Sequence, residues 1–427
     1  MRRLTIAIVA LALLAASCGG EVAATGSDFI SSDLPRALSD APPADVAAVA
    51  AAEQAFAADL YAVLAAGDEN LVFSPLSVHL ALAMALGGAQ GETATQMEGA
   101  LRVAGIDPAR LHAALNGLDA ALTSRNLTEP PVDDREQKVQ VSVVNSLWGQ
   151  EGFAFLSEYL DLLATNYGAG IRLVDFQTAA EEARVAINDW VAAQTNDRIT
   201  DLIPQGAIDA LTRLVLVNAV YLDATWAAPF SHDATSDAPF TLLDGTEVTV
   251  PTMHQSLSTL YGEGDGWRAI DLPYTGGELS LLVVMPDDGR FDEVEAALSA
   301  GLLEQVRASL AASEVSLSLP KFEIRTQTGL SEALQGLGMI DAFDPNAADF
   351  SGISTADQLY VSDVIHEAFI AVDEDGTEAA AATAVIIGTT SAPVSMIELN
   401  VDHPFLFFLQ DRATGAVLFV GRVMSPQ

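Results

Sequence analysis

An α+β fold in a single domain is predicted by three features of the sequence. Helical patterns come mostly first and strand patterns mostly later. No internal repeat of fixed period is visible, and no break in composition marks a second domain. The chain has 427 residues, half of them hydrophobic and 18% charged. It therefore has the apolar half that a core needs and that a disordered acidic chain lacks. Lys and Arg number 19 against 58 Asp and Glu, a net charge of −39. Nucleic-acid binding needs a basic surface to displace counterions, so that function is excluded. The one cysteine, Cys18, rules out an intramolecular disulfide and any zinc or iron–sulfur site built on several thiolates.

The first 17 residues read as a secretory signal peptide. Arg2 and Arg3 precede an apolar run from Leu4 to Ala16, which is too short to span a bilayer comfortably. Leu14-Ala15-Ala16-Ser17-Cys18 resembles a bacterial lipobox, with Ala15 where Leu is preferred, and marks Cys18 for lipidation. Residues 18–45 are mostly Gly, Ala, Ser, Asp and Pro and read as a flexible tether, with a root-mean-square reach of roughly 30 Å. Residues 46–427 then form the domain.

Within it, apolar residues at helical spacing predict helices at Val46–Ala66, Ser74–Leu86, Ala94–Leu101, Pro108–Leu122, Leu156–Asn166 and Ala179–Gln194. Pro75 suits a first helical turn. Strands are predicted at Val139–Trp148, Leu214–Leu222, Leu279–Met285, Val315–Leu319, Phe369–Val372 and Val417–Val420, with a further helical piece at Thr328–Leu337.

Enzyme motifs fail. There is no G-x-S-x-G elbow and no phosphate-cradling glycine loop with a Lys. His366-Glu367 begins like a zinc-protease helix, but Ile370 stands where the second His is required. Asp373-Glu374-Asp375-Gly376 hints at a calcium loop, yet Ala371 and Ala382 occupy the outer ligand positions. The six histidines show no metal spacing and read as surface or satisfied core residues. No metal or cofactor is expected.

One segment stands apart. From Ala379 to Ala392 there is neither charge nor proline, with small residues first and β-branched ones after. As a strand, it would place Thr377, Ala379, Ala381, Thr383, Val385 and Ile387 on one face, all fit for burial, and Glu378 on the other. The stretch could become a central strand without a side-chain penalty.

From Val46 to Gln427 the sequence resembles the serpin family. The resemblance rests on an ordered set of motifs: Asn70-Leu71-Val72-Phe73-Ser74-Pro75-Leu76-Ser77, Asn145-Ser146-Leu147-Trp148, Ile187-Asn188-Asp189-Trp190-Val191 with Thr195, and Val217-Asn218-Ala219-Val220-Tyr221-Leu222 with Trp226 and Phe230. Leu272-Pro273-Tyr274, Leu319-Pro320-Lys321-Phe322, Asp349-Phe350-Ser351-Gly352 and Asn400-Val401-Asp402-His403-Pro404-Phe405-Leu406-Phe407 complete it.

The resemblance implies large, mainly antiparallel mixed sheets, eight or nine helices and an exposed reactive-centre loop, here residues 374–397. It implies a single-use inhibitor of serine endopeptidases, with cysteine proteases as a further class. The target cleaves the loop, and the loop inserts into the main sheet and traps the acyl-enzyme. The hinge maps to Glu374, Gly376, Thr377, Ala379, Ala380, Ala381 and Ala382. Family spacing puts the scissile bond at Thr390-Ser391, with Thr389 and Ser391 as alternative cleavage residues. A small uncharged Thr390 points to an elastase-like or subtilisin-like protease with a small apolar pocket. Glu374 and Lys321 resemble a salt bridge at the loop entry with Trp226 beneath; Ser74, Ser77, Asn218 and His366 resemble the polar cluster that gates sheet opening. Leu101–Lys138 has only scattered Arg and one Lys, so no heparin cofactor is expected. A monomer outside the cytoplasm, secreted or held to a membrane only by a lipid on Cys18, completes the expectation. The alternative is a non-inhibitory serpin with a binding or chaperone-like role.

Overall fold

The computed structural model describes residues 28–132, 135–355, 358–377 and 396–426. Nine α-helices occur among the described residues: α1 (Pro43–Leu64), α2 (Pro75–Leu86), α3 (Gly91–Ala100), α4 (Pro108–Thr123), α5 (Ser157–Tyr167), α6 (Ala180–Gln194), α7 (Phe291–Ala296), α8 (Leu302–Ser309) and α9 (Ser331–Gly336). Two of their starts are written locally by a capping side chain. The Ser74 side chain accepts from the Ser77 N–H ahead of Pro75, and Asp107 accepts from Ala109 and Arg110 ahead of Pro108. Every residue of α2 is buried, which its nearly unbroken apolar sequence requires.

Two sheets carry the fold. The first joins β1 (Asp28–Ile30), β3 (Leu127–Val132), β4 (Arg135–Gln150), β5 (Ile171–Val174), β6 (Leu214–Thr225), β12 (Phe322–Gly329), β13 (Val364–Val372) and β14 (Gly376–Thr377). Its order is β1-β5-β4-β6-β14-β13-β12, with β3 on β4. The second joins β2 (Leu71–Phe73), β7 (Ser236–Thr241), β8 (Glu247–Gly264), β9 (Trp267–Pro273), β10 (Leu279–Pro286), β11 (Ala311–Pro320), β15 (Ile397–Asn400), β16 (Phe405–Asp411) and β17 (Val417–Val423). Its order is β15-β11-β8-β9-β10-β16-β17-β2, with β7 on β8. Helix α2 touches β6 of the first sheet and β17 of the second, so the main core lies between the two. A smaller core of Trp148, Phe176, Ile187, Trp190, Val191 and Leu202 holds α6 on the first sheet.

Two sequence expectations need correction. The helical piece at Thr328–Leu337 is mostly strand and turn at its start: Thr328 and Gly329 close β12, and only Ser331–Gly336 is helical. The tether of residues 18–45 is not free from Asp28 onward. Asp28–Ile30 pairs antiparallel with β5. Arg36 donates to Asn116 Oδ1 at 2.9 Å and pairs with Asp119, the Ala37 N–H donates to Thr165 O at 2.9 Å, and Ser39 Oγ donates to Ala113 O at 2.9 Å. A Cβ at Gly170 would run into Ile30 and Phe29, so the groove is cut for this segment. Backbone pairing and polar side-chain bonds hold it without apolar periodicity, which is why it reads as linker. Residues 18–27 lie outside the described part of the chain.

Candidate functional site: a seam and the hinge above it

The first sheet contains a seam. Strands β6 and β13 pair in parallel through five register pairs, from Leu216–Val364 to Val220–Ala368. Higher up they are separated by β14. Gly376 and Thr377 pair antiparallel with Thr225 and Ala224 of β6, and Thr377 pairs with Val372 of β13. Two residues of β14 thus stand between β6 and β13.

A buried neutral cluster closes the middle of the seam. Asn218 and His366 are register partners across it, and Asn145 faces Asn218 from β4. The Ser74 N–H donates to His366 Nε2 at 3.0 Å, so the ring proton sits on Nδ1, which donates to Asn218 Oδ1 at 2.8 Å. The Asn218 amide donates to Ser77 Oγ and to Asn145 Oδ1. Ser74, Ser77 and His366 are fully buried. Burial pushes the His366 imidazole down to about 3, so the ring is neutral at physiological pH.

About 20 Å up the strand, six residues at the strand rise, the hinge is clamped by charge. Glu374 Oε2 lies 2.6 Å from Lys321 Nζ, and Thr235 Oγ1 donates to Glu374 Oε1 at 2.7 Å. The backbone is fixed as well: the Phe230 N–H donates to Glu374 O at 2.8 Å, and the Trp226 N–H to Asp375 O at 2.9 Å. Trp226 Nε1 donates to Asp373 O at 2.9 Å, while its ring stacks on Tyr274 at 4.5 Å and 9°. The Tyr274 hydroxyl and Thr377 Oγ1 are 2.6 Å apart. Asp373 Oδ1 accepts from the Asp375 and Gly376 N–H groups, tightening the turn. A Cβ at Gly376 would collide with the backbone of Ala224 and Thr225, so only glycine lets the chain approach β6 this closely.

Burial pushes the Glu374 carboxyl up, but Lys321 and Thr235 more than offset it and hold the group below its usual range. The Asp373 carboxyl is pushed up by burial, against the two N–H groups it accepts.

The structure therefore brings Glu374, Gly376, Thr377, Lys321 and Trp226 together at the hinge, and Ser74, Ser77, Asn218 and His366 together at the seam. Ala379 to Ala382, Thr390, Ser391 and Cys18 lie outside the described residues. Asn145, Thr235 and Tyr274 were missed as site residues. Asn145 and Tyr274 stand inside the motifs Asn145-Ser146-Leu147-Trp148 and Leu272-Pro273-Tyr274, a signal that was available. Among the described residues, no group of three or more His, Cys, Asp and Glu is placed to hold a metal ion.

A family model described as serpin (serine protease inhibitor) matches residues 51–426. An uncharacterized serpin-like protein of Thermococcus kodakarensis is 41% identical over 375 residues, covering 87% of this chain and 84% of its own. The leukocyte elastase inhibitor of Homo sapiens is 35% identical over 391 residues, covering 88% and 99%. Among solved structures, the thermophilic serpin Tengpin in its native state superposes with a TM-score of 0.79 at 29% identity, covering 93% of this chain and 99% of that one. Uncleaved ovalbumin gives 0.78 at 29% identity, covering 89% and 100%.

Proposed function

The chain belongs to the serpin family, and from that premise we propose that it is a single-use inhibitor of serine proteases with small apolar specificity pockets, elastase-like or subtilisin-like. The observation that carries this reading is the placement of Gly376 and Thr377 between β6 and β13, directly ahead of the uncharged stretch Ala379–Ala392.

The target supplies the catalysis. Its serine Oγ attacks the Thr390 carbonyl, its histidine takes the proton and passes it to the leaving Ser391 amine, and an ester to Thr390 remains. Freed at that end, the loop extends β14 down the seam. The five direct β6–β13 pairs are replaced by ladders on both sides of the new strand. On the order of 10 additional hydrogen bonds at roughly 0.5–1.5 kcal/mol each give about 5–15 kcal/mol of drive before side-chain burial. The uncleaved form is held by kinetics, through the seam cluster and the hinge clamp. Distortion of the dragged protease disorders its oxyanion hole, and the ester persists.

Incubation with pancreatic elastase and with subtilisin tests this. The expected product is a covalent complex that survives SDS. Mass spectrometry should find the released C-terminal peptide beginning at Ser391. Clean cleavage with no complex would support the binding or chaperone-like alternative instead. The signal-like residues 1–17 and Cys18 support export and lipid anchoring; Cys18→Ser should shift the protein from the membrane fraction to the soluble one.

A further inference from the structure

Tyr274 reaches the hinge from the other sheet, and the steps above make no use of it. It follows β9 directly, stands in the link to β10 and forms an antiparallel bridge with Trp226, just past the end of β6. Its backbone is fixed. The Tyr274 N–H donates to Leu279 O at 3.0 Å, its carbonyl accepts from the Gly277 N–H at 2.8 Å, and the Ala227 N–H donates to the preceding Pro273 O at 3.0 Å. The ring is fully buried and lies flat against Trp226. The hydroxyl is therefore held in one place, and there it meets Thr377 Oγ1 at 2.6 Å. Among the described residues, neither hydroxyl has a second hydrogen-bond partner. Burial pushes the Tyr274 hydroxyl up, so it keeps its proton throughout the physiological range.

Strand β14 is Gly376 and Thr377, and glycine carries no side chain, so Thr377 is the first side chain of the strand that insertion would extend. Side chains alternate along a strand, so fixing one fixes the face of every residue after it. With Thr377 turned to Tyr274 and the core, Ala379, Ala381, Thr383, Val385 and Ile387 would follow it inward, and Glu378 would point away. A start slipped by one residue would turn Glu378 inward and bury a carboxylate. The Asp373 turn and the close approach of Gly376 locate the backbone of the hinge. Tyr274 adds a contact that reads a side chain.

We propose that Tyr274 is a positioning residue for loop insertion, whose hydroxyl holds Thr377 on the core face and so sets the register in which the cleaved loop enters the seam. This rests on the insertion mechanism proposed above. Insertion races against hydrolysis of the acyl-enzyme. A strand that starts in the wrong register must back out and begin again, and water gains that time.

A cycle of isosteric variants tests this: Tyr274→Phe, Thr377→Val and the two combined, each incubated with subtilisin and with elastase. The ratio of covalent complex to cleaved inhibitor should fall about two- to tenfold in each single variant, the size of one neutral hydrogen bond. Thr377→Ser keeps the hydroxyl and should stay within about twofold of wild type. The double variant separates positioning from stability. Each single variant leaves one buried hydroxyl unpaired, whereas the double removes both, so its thermal midpoint without protease should return towards wild type. Its complex ratio should stay low, because the pin is gone. A ratio that recovers along with the midpoint would mean that the bond serves stability alone, and would overturn the proposal. So would a Tyr274→Phe variant that traps protease at the wild-type ratio. Wild type that forms no complex with either protease marks the other failure: the insertion reading itself is then wrong, and the proposal falls with it.

Discussion

The hinge and the middle of the seam hold the same pair of strands, yet by opposite chemistry. At the hinge, Glu374, Asp375, Lys321 and His232 meet near solvent, with Lys321 about one-third exposed. At the seam centre, Ser74, Ser77, Asn145, Asn218 and His366 are joined only by neutral hydrogen bonds, and His366 is fully buried. A buried ion pair must recover the desolvation of both charges, whereas a satisfied neutral network does not. The centre is therefore built to hold fast until it breaks as a unit. The hinge is built to be adjusted.

The largest effect is expected at the hinge end of the seam, where β14 stands between the two strands. Thr377 is 2% exposed between the strands with its hydroxyl on Tyr274, so Thr377→Arg forces a cation into a slot built for a small side chain. The yield of SDS-stable complex should fall more than tenfold, with cleavage continuing. A variant that still forms complex at the wild-type yield would sink the insertion mechanism for this loop.

His366→Leu attacks the seam centre. It strands the Ser74 N–H and Asn218 Oδ1 without partners, at about 1–3 kcal/mol each. The pH signature follows from linkage. The folded-state value lies below the unfolded one, so only the unfolded chain takes up the proton as pH falls. Wild type should lose stability from about pH 6.5 down towards about 3, and the Leu variant should lack that component. Denaturant midpoints at pH 7 and pH 4 check both statements.

Lys321→Ala probes the hinge and should cost about 1 kcal/mol, between the values for exposed and buried pairs. Glu374 is held below its usual range, so the stability it contributes is present at neutral pH and lost as pH falls through the lowered folded-state value. The difference between wild type and Lys321→Ala should shrink in strong acid. A difference that persists unchanged at pH 2.5 would mean that Lys321 acts by packing and not by charge. Smallest of all should be Arg36→Ala, off the seam, at about 0.5 kcal/mol for a partly exposed pair with Asp119 and one further hydrogen bond. A loss as large as that of His366→Leu would move the weight of the comparison away from the seam.

Sequence reading succeeded where signals are local. Ser74-Pro75 and Asp107-Pro108 announce the starts of α2 and α4 with a capping side chain and a preset φ, and both helices begin there. The alternation in β4 and the apolar run of β10 were equally plain. Strand β8 escaped notice although it spans 18 residues. Thr, Ser, His and Gln interrupt its apolar residues throughout, and its ten-residue register with β11 holds it in place without an unbroken apolar stripe. The site divides in the same way. Gly376 and Thr377 could be judged by size alone. The pairing of Glu374 with Lys321, 53 residues earlier, was reachable only through the family pattern. His232 passed as an ordinary surface histidine, because nothing near it in sequence reveals Asp375, 143 residues away.

The docked segment from Asp28 to Ser39 has a mechanical consequence. The seam divides the first sheet into a half made of β1, β5, β4, β3 and β6, and a half made of β13 and β12. Strand β1 is the outer edge of the larger half. With a lipid on Cys18, the leash to the bilayer would be the ten links from Cys18 to Asp28, at most about 35 Å when taut, instead of 27 or more. It would pull first on β1, at the edge of one half-sheet. On the proposed insertion mechanism, a captured protease carried down the seam would be towed relative to a frame moored to the membrane, and tension in the mooring would be felt along the line where the sheet would part.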